Sequence, residues 1–478
     1  MGGAVWMLAM RWFMRVIGLI STAILARLLM PEDFGLVAMA MVFVGLLQQL
    51  LDFGLTIGLL RNPDADRRHY DTTWTVQLIQ MSGLALVLAL CAPLIAGVYN
   101  EPRVTSIVLV VALGMAIRGW GNIGVIDFRK HLLFHKDFWF NVVIKIGGFV
   151  VTISLAWVLR SYWALVLGSL FNQIVAVALS YVMSSYRPRF SLAVVGEIWS
   201  FSQWMLVRGL ANYIFTQGDQ FIVGKLFASS GLGYYSVAKD IASTPAREIV
   251  QPVSRAFTPG FAKLQKQPER LNAAFTKALG GLALLTVPAG IGLSCVATEI
   301  VPLLLGNKWL AATPLLQWLP VGSVLFALHA LAGNIVVVLG HVRLLAIIDW
   351  VRALALLICL YIGYRLFGLM GVVGGSIAGS SISFILLFAA AIRVSPLRWG
   401  EIARALARPL IAAGVMAGVL IMVSPFLALP LIALLGAKVA LGALTYGLTL
   451  MLLWRLFGSQ AAVERDFVAK IREKLCRT

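Results

Sequence analysis

Basic side chains inside long apolar stretches are the residues of this sequence most able to do chemistry. A charged side chain at the centre of a membrane helix costs roughly 3 kcal/mol on insertion scales. Such a group is therefore expected to face a water-filled cavity, to pair with an acid, or to extend towards a membrane surface. The basic residues inside these stretches or at their edges are Arg11, Arg15, Arg118, Lys145, Arg208, Lys239, Arg247, Arg255, Lys277, Arg352 and Lys438.

The deeper of these cations predict a binding site for an anionic group. The planar guanidinium of arginine can hold phosphate oxygens by two parallel hydrogen bonds. For each arginine taken alone, an internal ion pair between helices is an equally good interpretation. We favour a cationic cavity because the cluster occupies the inner half and the middle of the predicted membrane region. The predicted substrate-binding residues are Arg11, Arg15, Arg118, Lys145, Arg208, Arg247 and Arg352.

Acidic residues inside the apolar stretches are fewer than the basic ones. Asp349 and Arg352 lie three residues apart, about one helical turn, so we expect their side chains to pair. Asp52, Asp219 and Glu248 are the candidates for coupling transport to a proton or a sodium ion. Even after pairing, a positive excess is expected to remain inside the membrane.

Two lysines and the cysteines are assigned structural roles. Lys277 and Lys438 lie near the ends of predicted helices, and we expect both to extend to the membrane surface. The four cysteines form no C-x-x-C pair and are expected to be small buried side chains. The sequence predicts no catalytic residue, no metal site and no cofactor.

The elements that carry these charges are predicted membrane helices. The chain is 60% hydrophobic and only 12% charged, with a mean hydropathy of +0.91, which is too few charges for a soluble surface. Many stretches reach the roughly 20 residues needed to cross a bilayer. We predict an all-α polytopic membrane protein with about 14 transmembrane helices. The predicted spans are 5–27, 33–60, 73–98, 104–126, 138–159, 162–184, 199–224, 230–260, 272–297, 312–339, 344–364, 369–391, 409–427 and 431–454.

The loops between these spans predict the orientation. Lysine and arginine are concentrated in alternate loops, which places both termini in the cytoplasm. This placement accounts for most of the net charge of +19 without nucleic acid as a partner. In the tail, Val463, Phe467 and Ile471 recur every four residues among basic side chains, which predicts an amphipathic helix on the anionic inner surface of the membrane.

The chain also repeats itself. Matching positions are Gly35 with Gly233 and 83–86 with 281–284 at an offset of 198 residues, and Lys145 with Arg352 and 168–169 with 375–376 at an offset of 207. Two six-helix lobes of the same orientation, related by a pseudo-twofold axis along the membrane normal, are typical of transporters. The predicted domains are an N-terminal lobe 1–185, an interfacial linker 186–198, a C-terminal lobe 199–392, a second linker 393–408, two extra helices 409–456 and a basic tail 457–478.

Five short strings, spread over most of the chain, carry a family resemblance. They are LARLLMPEDFGL at 25–36, DQFIVG at 219–224, LGYYSVA at 232–238, PVSR at 252–255 and PLLLGNKW at 302–309. Together they resemble the bacterial polysaccharide transport family of Wzx-type oligosaccharide flippases, nearest the subgroup of colanic-acid and other exopolysaccharide exporters. The strings are specific to the family and say little about the sugar.

The resemblance implies the fold of the multidrug/oligosaccharidyl-lipid/polysaccharide flippases and a protein that is not an enzyme. It further implies an undecaprenyl-diphosphate-linked oligosaccharide substrate, moved across the bacterial inner membrane, and association with a polymerase or chain-length machinery. Two alternatives stay open. A drug or cation exporter of the same fold predicts a net acidic cavity. A membrane glycosyltransferase or polymerase using the same lipid donor predicts a sizeable outer loop with catalytic residues.

Overall fold

The computed structural model describes residues 2–50, 59, 65–195, 203–427 and 429–457. Regular elements in these ranges are all helices, which is the outcome expected from apolar segments that must satisfy their own backbone hydrogen bonds. The helices are α1 Gly2–Leu28, α2 Pro31–Leu50, α3 Arg67–Tyr99, α4 Arg103–Gly119, α5 Asp127–Lys130, α6 Phe134–Leu159, α7 Trp163–Met183, α8 Gln203–Leu226, α9 Ala228–Leu264, α10 Pro268–Cys295, α11 Ala297–Ile300, α12 Thr313–Val338, α13 Val342–Val394, α14 Trp399–Val423 and α15 Leu431–Phe457.

Helix α13 consists of two antiparallel arms. Its backbone leaves the helical region at Phe367 and at Gly368, whose φ of 58° favours glycine. The arms then approach closely, since a Cβ on Gly371 would stand 1.8 Å from the carbonyl oxygen of Gly363. With α13 counted as two and the four-residue helices α5 and α11 left aside, fourteen long helices of the described chain overlap the fourteen predicted spans one by one.

Nine helices of the described chain are long and apolar enough to cross a membrane, or ten if α4 and the segment Ile123–Lys130, bent by 74°, form one span. The prediction of an all-helical polytopic membrane protein is confirmed. Helices α1, α8 and α9 are not among the nine, and they carry charges such as Arg15, Asp219 and Lys239. That these three helices also span the membrane stays a prediction.

The chain divides into two compact units. Unit 1 consists of Met1–Tyr213 and Gln220–Ser236, and unit 2 consists of Ile214–Asp219 and Val237–Thr478. Unit 2 contains a large apolar core in which Phe275, Leu282 and Phe388 are fully buried. The predicted lobe and linker boundaries stay predictions. Residues 399–408 of the second predicted linker form the first turns of α14.

Two glycines at equivalent repeat positions account for one of the strings named above in each half of the chain. In unit 1, a Cβ on Gly35 would stand 1.7 Å from the carbonyl oxygen of Ser229, and a Cβ on Gly233 would stand 1.8 Å from that of Pro31. Helix α2 and the first turns of α9 therefore touch backbone to backbone, which only glycine allows. Asp33 in the same string accepts a hydrogen bond from the Tyr162 backbone N–H at 2.8 Å.

Candidate functional site

Helices α1 and α6 position three of the predicted cations. Aromatic contacts join the two helices, with the rings of Trp6 and Phe138 centred 5.0 Å apart. On α1, Arg15 has Nε and Nη2 buried with no hydrogen-bond partner among the described residues. On α6, Lys145 is half-buried and forms no hydrogen bond or ion pair within the described chain. Arg11, one turn before Arg15, is also half-buried.

Arg118 lines a cavity inside unit 1 that none of the other predicted cations lines. The cavity has a volume of about 500 Å³ and is lined by residues from α2 to α7. Its lining residues include Gln48, Gln77, Gln80, Met81, Leu84, Arg118, Asn122, Arg129, Asp137, Phe140, Gln173, Ala176, Val177 and Ser180. Arg118 therefore faces this cavity, whereas Arg11, Arg15 and Lys145 are not part of its lining.

Some polar groups of this cavity are already paired and hold its walls in place. Gln77 Nε2 donates to the carbonyl oxygens of Gly119 and Gly121, both at 3.3 Å. Arg129 Nε lies 3.3 Å from Asp137 Oδ1, so the two charges offset each other.

Hydrogen bonds attach the segment that follows α7 to the helices around this cavity. Asn122 Nδ2 donates to the carbonyl oxygen of Tyr186 at 2.7 Å. The Tyr186 hydroxyl donates to Asp71, which also accepts from the backbone N–H of Arg189 at 2.9 Å. Burial, and then the hydrogen bond to Asp71, raise the pKa of Tyr186, so its hydroxyl keeps the proton it donates.

Arg208 and Arg247 lie on α8 and α9 and differ in exposure. Arg208 is half-buried in unit 1. Arg247 is exposed and forms an ion pair with Asp240 at 2.6 Å. The side chain of Arg255, on the same helix, lies outside the described residues.

Arg352 is buried in unit 2 with its charge compensated. Its Nε lies 3.0 Å from Asp349 Oδ1, which confirms the pairing expected from their spacing. Nη1 lies 3.4 Å from the Ser383 hydroxyl, and the guanidinium carbon stands 4.5 Å from the centre of the Phe215 ring. The equivalent repeat position, Lys145, has no such partner in the described chain.

The candidate coupling acids have different surroundings. Asp219 is buried in unit 2 and pairs with Lys239 at 2.7 Å, while Lys239 also donates to the carbonyl oxygen of Thr216 at 2.6 Å. Glu248 is half-buried on α9, and Asp52 lies outside the described residues. Ion coupling through these three acids stays a prediction.

Lys438 was wrongly expected to extend to the membrane surface. It is 4% exposed, and its Nζ lies 2.6 Å from Oε1 of the buried Glu299. The pair joins α15 to α11, and its partners are 139 positions apart in the sequence, so helical spacing could not predict it. Lys277, the other lysine expected to extend to the membrane surface, is exposed.

Sequence reasoning also missed His329. This side chain is 1% exposed in unit 2, with ring centres 5.0 Å from Phe326 and 6.0 Å from Phe215. Neither ring nitrogen has a hydrogen-bond partner among the described residues. A single histidine within an apolar stretch forms no spacing pattern, so the sequence alone could not predict that His329 is buried beside two phenylalanine rings.

Among the charges inside the described helices, two groups contrast most clearly. The paired acids are Asp219 with Lys239, Asp240 with Arg247, Glu299 with Lys438 and Asp349 with Arg352. Arg15, Arg118 and Lys145 form no hydrogen bond or ion pair with the residues that the structure describes, and all three belong to unit 1. Arg15 and Lys145 are half-buried, whereas Arg118 is exposed in the last turn of α4. Unpaired cations among apolar helices suit an anionic ligand.

Solved structures with the same helix arrangement define the class of the protein. The lipid II flippase MurJ, in an inward closed conformation, superposes with a TM-score of 0.74 at 14% sequence identity, over 95% of this chain and 99% of MurJ. An inward-facing multidrug resistance MATE family transporter of the MOP superfamily gives a TM-score of 0.61 at 16% identity, over 80% and 95%. This chain is a multi-pass helical membrane protein with the fold shared by these two proteins.

The family follows from the sequence itself. The family model described as "Polysaccharide biosynthesis protein" matches residues 24–314, and the chain belongs to that family. The lipopolysaccharide biosynthesis protein WzxC of Escherichia coli (strain K12) is 26% identical over 384 residues, which cover 78% of this chain and 76% of WzxC.

Proposed function

We propose that this protein is a flippase for a lipid-linked oligosaccharide. The substrate is an undecaprenyl diphosphate that carries an oligosaccharide repeat unit, and the protein moves it from the cytoplasmic to the periplasmic leaflet of a bacterial inner membrane. Both termini lie in the cytoplasm. The product supplies exopolysaccharide, O-antigen or capsule synthesis, in association with polymerase and chain-length machinery.

The observation that supports this proposal most is the unpaired positive charge of unit 1. Arg15, Arg118 and Lys145 have no acid partner in the described chain, whereas the acids Asp219 and Asp349 have basic ones. A substrate with a diphosphate would compensate charges that the protein leaves uncompensated. A cation exporter would need the opposite excess.

The proposed mechanism is alternating access between two leaflets. Arg15 and Lys145 of the predicted set bind the diphosphate from the cytoplasmic side while the lipid chain stays in the bilayer. Rocking of the two repeats then exposes the headgroup to the periplasm. An inside-negative potential favours outward movement of the anion by about 2.3 kcal/mol per charge for each 100 mV. Asp52, Asp219 and Glu248 are the proposed sites of any coupling to protons or sodium ions.

The test is translocation by the purified protein in liposomes. The liposomes contain a fluorescent undecaprenyl-diphosphate oligosaccharide, and a membrane-impermeant reagent reports how much headgroup has crossed. We expect protein-dependent crossing that becomes faster when the side of departure is made electrically negative. Crossing of a lipophilic cation with no crossing of the diphosphate lipid would favour the exporter. Transfer of the sugar from its lipid to another acceptor would favour the enzyme.

A further inference from the structure

The lining of the cavity inside unit 1 includes polar side chains that no other described residue binds. Of its lining side chains, Gln48, Gln80, Gln173 and Arg118 form no hydrogen bond or ion pair with the described residues. None of these four side chains is buried, so their polar groups are open to the cavity instead of being enclosed in the helix packing. Polar groups placed in this way are available to water or to a ligand.

The second repeat shows that the helix arrangement itself does not require such a cavity. Cavity residues and their repeat counterparts are, at the offset of 198, Gln77 with Phe275 and Gln80 with Ala278, and, at the offset of 207, Gln173 with Ser380, Val177 with Phe384 and Ser180 with Leu387. In unit 2, Phe275, Ala278 and Leu387 are at most 2% exposed and pack in one apolar core. Gln77, Gln80 and Ser180 are thus polar and line the cavity, whereas their counterparts Phe275, Ala278 and Leu387 are apolar and buried.

The chemistry of the lining indicates the class of ligand. Side-chain amides such as those of Gln80 and Gln173 donate and accept hydrogen bonds at once, which matches the hydroxyl groups of a sugar. Phe140 and Leu84 offer an apolar wall for the C–H face of a sugar ring. Arg118 adds one positive charge without an acid partner in the described chain, because the charge of Arg129 is offset by Asp137.

We propose that this cavity binds the carbohydrate part of the exported headgroup, at a sugar that carries an acidic substituent such as a carboxylate. The volume of about 500 Å³ is within the range of small-molecule sites. This inference deepens the proposed function and rests on it for the origin of the sugar. Arg118 then contacts the sugar acid, while Arg15 and Lys145 lie outside the cavity lining.

The test is protection of a single cysteine from alkylation. The full chain carries alanine in place of Cys91, Cys295, Cys359 and Cys476, and Ala176→Cys provides a reporter that lines the cavity without removing a polar group. The rate of reaction with a hydrophilic maleimide is measured in the presence of glucuronic acid, glucose or inorganic pyrophosphate. Gln173→Cys is a second reporter, and Ser161→Cys, outside the lining, is the control.

Glucuronic acid is expected to slow labelling several-fold, glucose less, and pyrophosphate not at all, with no change at Ser161→Cys. Arg118→Gln should remove the preference for glucuronic acid over glucose. The double change Gln80→Ala with Gln173→Ser, read out at Ala176→Cys, should abolish protection while the protein stays folded, because both replacements occur at equivalent positions of unit 2. Equal protection by both sugars, or none by either, overturns the proposal. Protection by pyrophosphate alone would make the cavity a diphosphate site instead.

This assay requires no translocation, so its result is independent of the liposome experiment. Protection by glucuronic acid without any flipping would refute the proposed function and leave the cavity a site for an acidic sugar. Flipping without protection would refute the cavity assignment and leave the flippase intact.

Discussion

At the scale of single residues, a cation inside the membrane has either a partner in the protein or a reason to lack one. Arg352 was predicted as a substrate ligand from its depth, yet it is 5% exposed and paired with Asp349. Its equivalent in the first repeat, Lys145, is half-buried and unpaired in the described chain. The two equivalent positions therefore differ in burial and pairing, and we propose Lys145 in preference to Arg352 as a substrate ligand.

Removing Arg352 should therefore cost stability. Arg352→Gln leaves Asp349 buried without its cation, and losing one partner of a buried ion pair costs about 3–5 kcal/mol. Denaturation of the detergent-solubilised variant, followed by tryptophan fluorescence, measures the loss. The double change Asp349→Asn with Arg352→Gln should recover most of the stability. A stable single variant that fails to transport would instead return Arg352 to the substrate site.

Residue pairs also show what a sequence can and cannot predict. The Asp349–Arg352 pair could be predicted because one helical turn brings the two side chains together. The Glu299–Lys438 pair could not, because its partners are 139 residues apart and only helix packing joins them. The polar cavity had one available indication, namely that Gln77 and Gln80 match apolar residues of the second repeat.

At the scale of the elements, the Glu299–Lys438 pair attaches α15 to the short helix α11. Lys438→Met leaves Glu299 buried and uncompensated, so we expect a loss of about 3–5 kcal/mol and easier proteolysis around α15. Limited proteolysis and denaturation in detergent measure both effects. Lys263→Met, at an exposed site without an ion pair in the described chain, is the control and should change little. If Lys438→Met has no more effect than the control, the pair does not hold α15.

The contact of α2 with the start of α9 gives a second prediction at this scale. Gly35→Ala places a methyl group 1.7 Å from the carbonyl oxygen of Ser229, so the helices must separate. Overpacking of this kind costs about 1–3 kcal/mol. The matched control is Gly83→Ala on α3, which meets no atom within 4 Å and should be neutral or slightly stabilising. Equal unfolding free energies of the two variants would contradict the close contact.

Hydropathy predicts where these helices are, because each must satisfy its own backbone hydrogen bonds and present apolar side chains over the thickness of the bilayer. The overlap of fourteen described helices with fourteen predicted spans reflects this. Helix ends and extensions were less predictable. α14 begins at Trp399, ten residues before the predicted span, because the amphipathic segment continues into the helix.

At the scale of the whole molecule, the duplication explains both what is shared and what differs. The two halves share glycines at equivalent positions, such as Gly35 and Gly233, that permit close helix packing. They differ in polarity, since unit 1 holds the unpaired cations and the polar cavity, whereas unit 2 holds an apolar core and paired charges. We infer that unit 1 contributes the side chains that bind the anionic substrate.

The most direct test of the central claim compares headgroup translocation in liposomes by Arg15→Gln, Lys145→Gln and the control Arg160→Gln. Arg160 is an exposed arginine at the end of α6 and outside the predicted set. Because a hydrogen bond to a charged group contributes about 1.5–3 kcal/mol, each of the first two variants should translocate the diphosphate lipid about ten- to a hundredfold more slowly. The control should match the unmodified protein. If all three folded variants translocate at the unmodified rate, the unpaired cations of unit 1 do not bind the substrate.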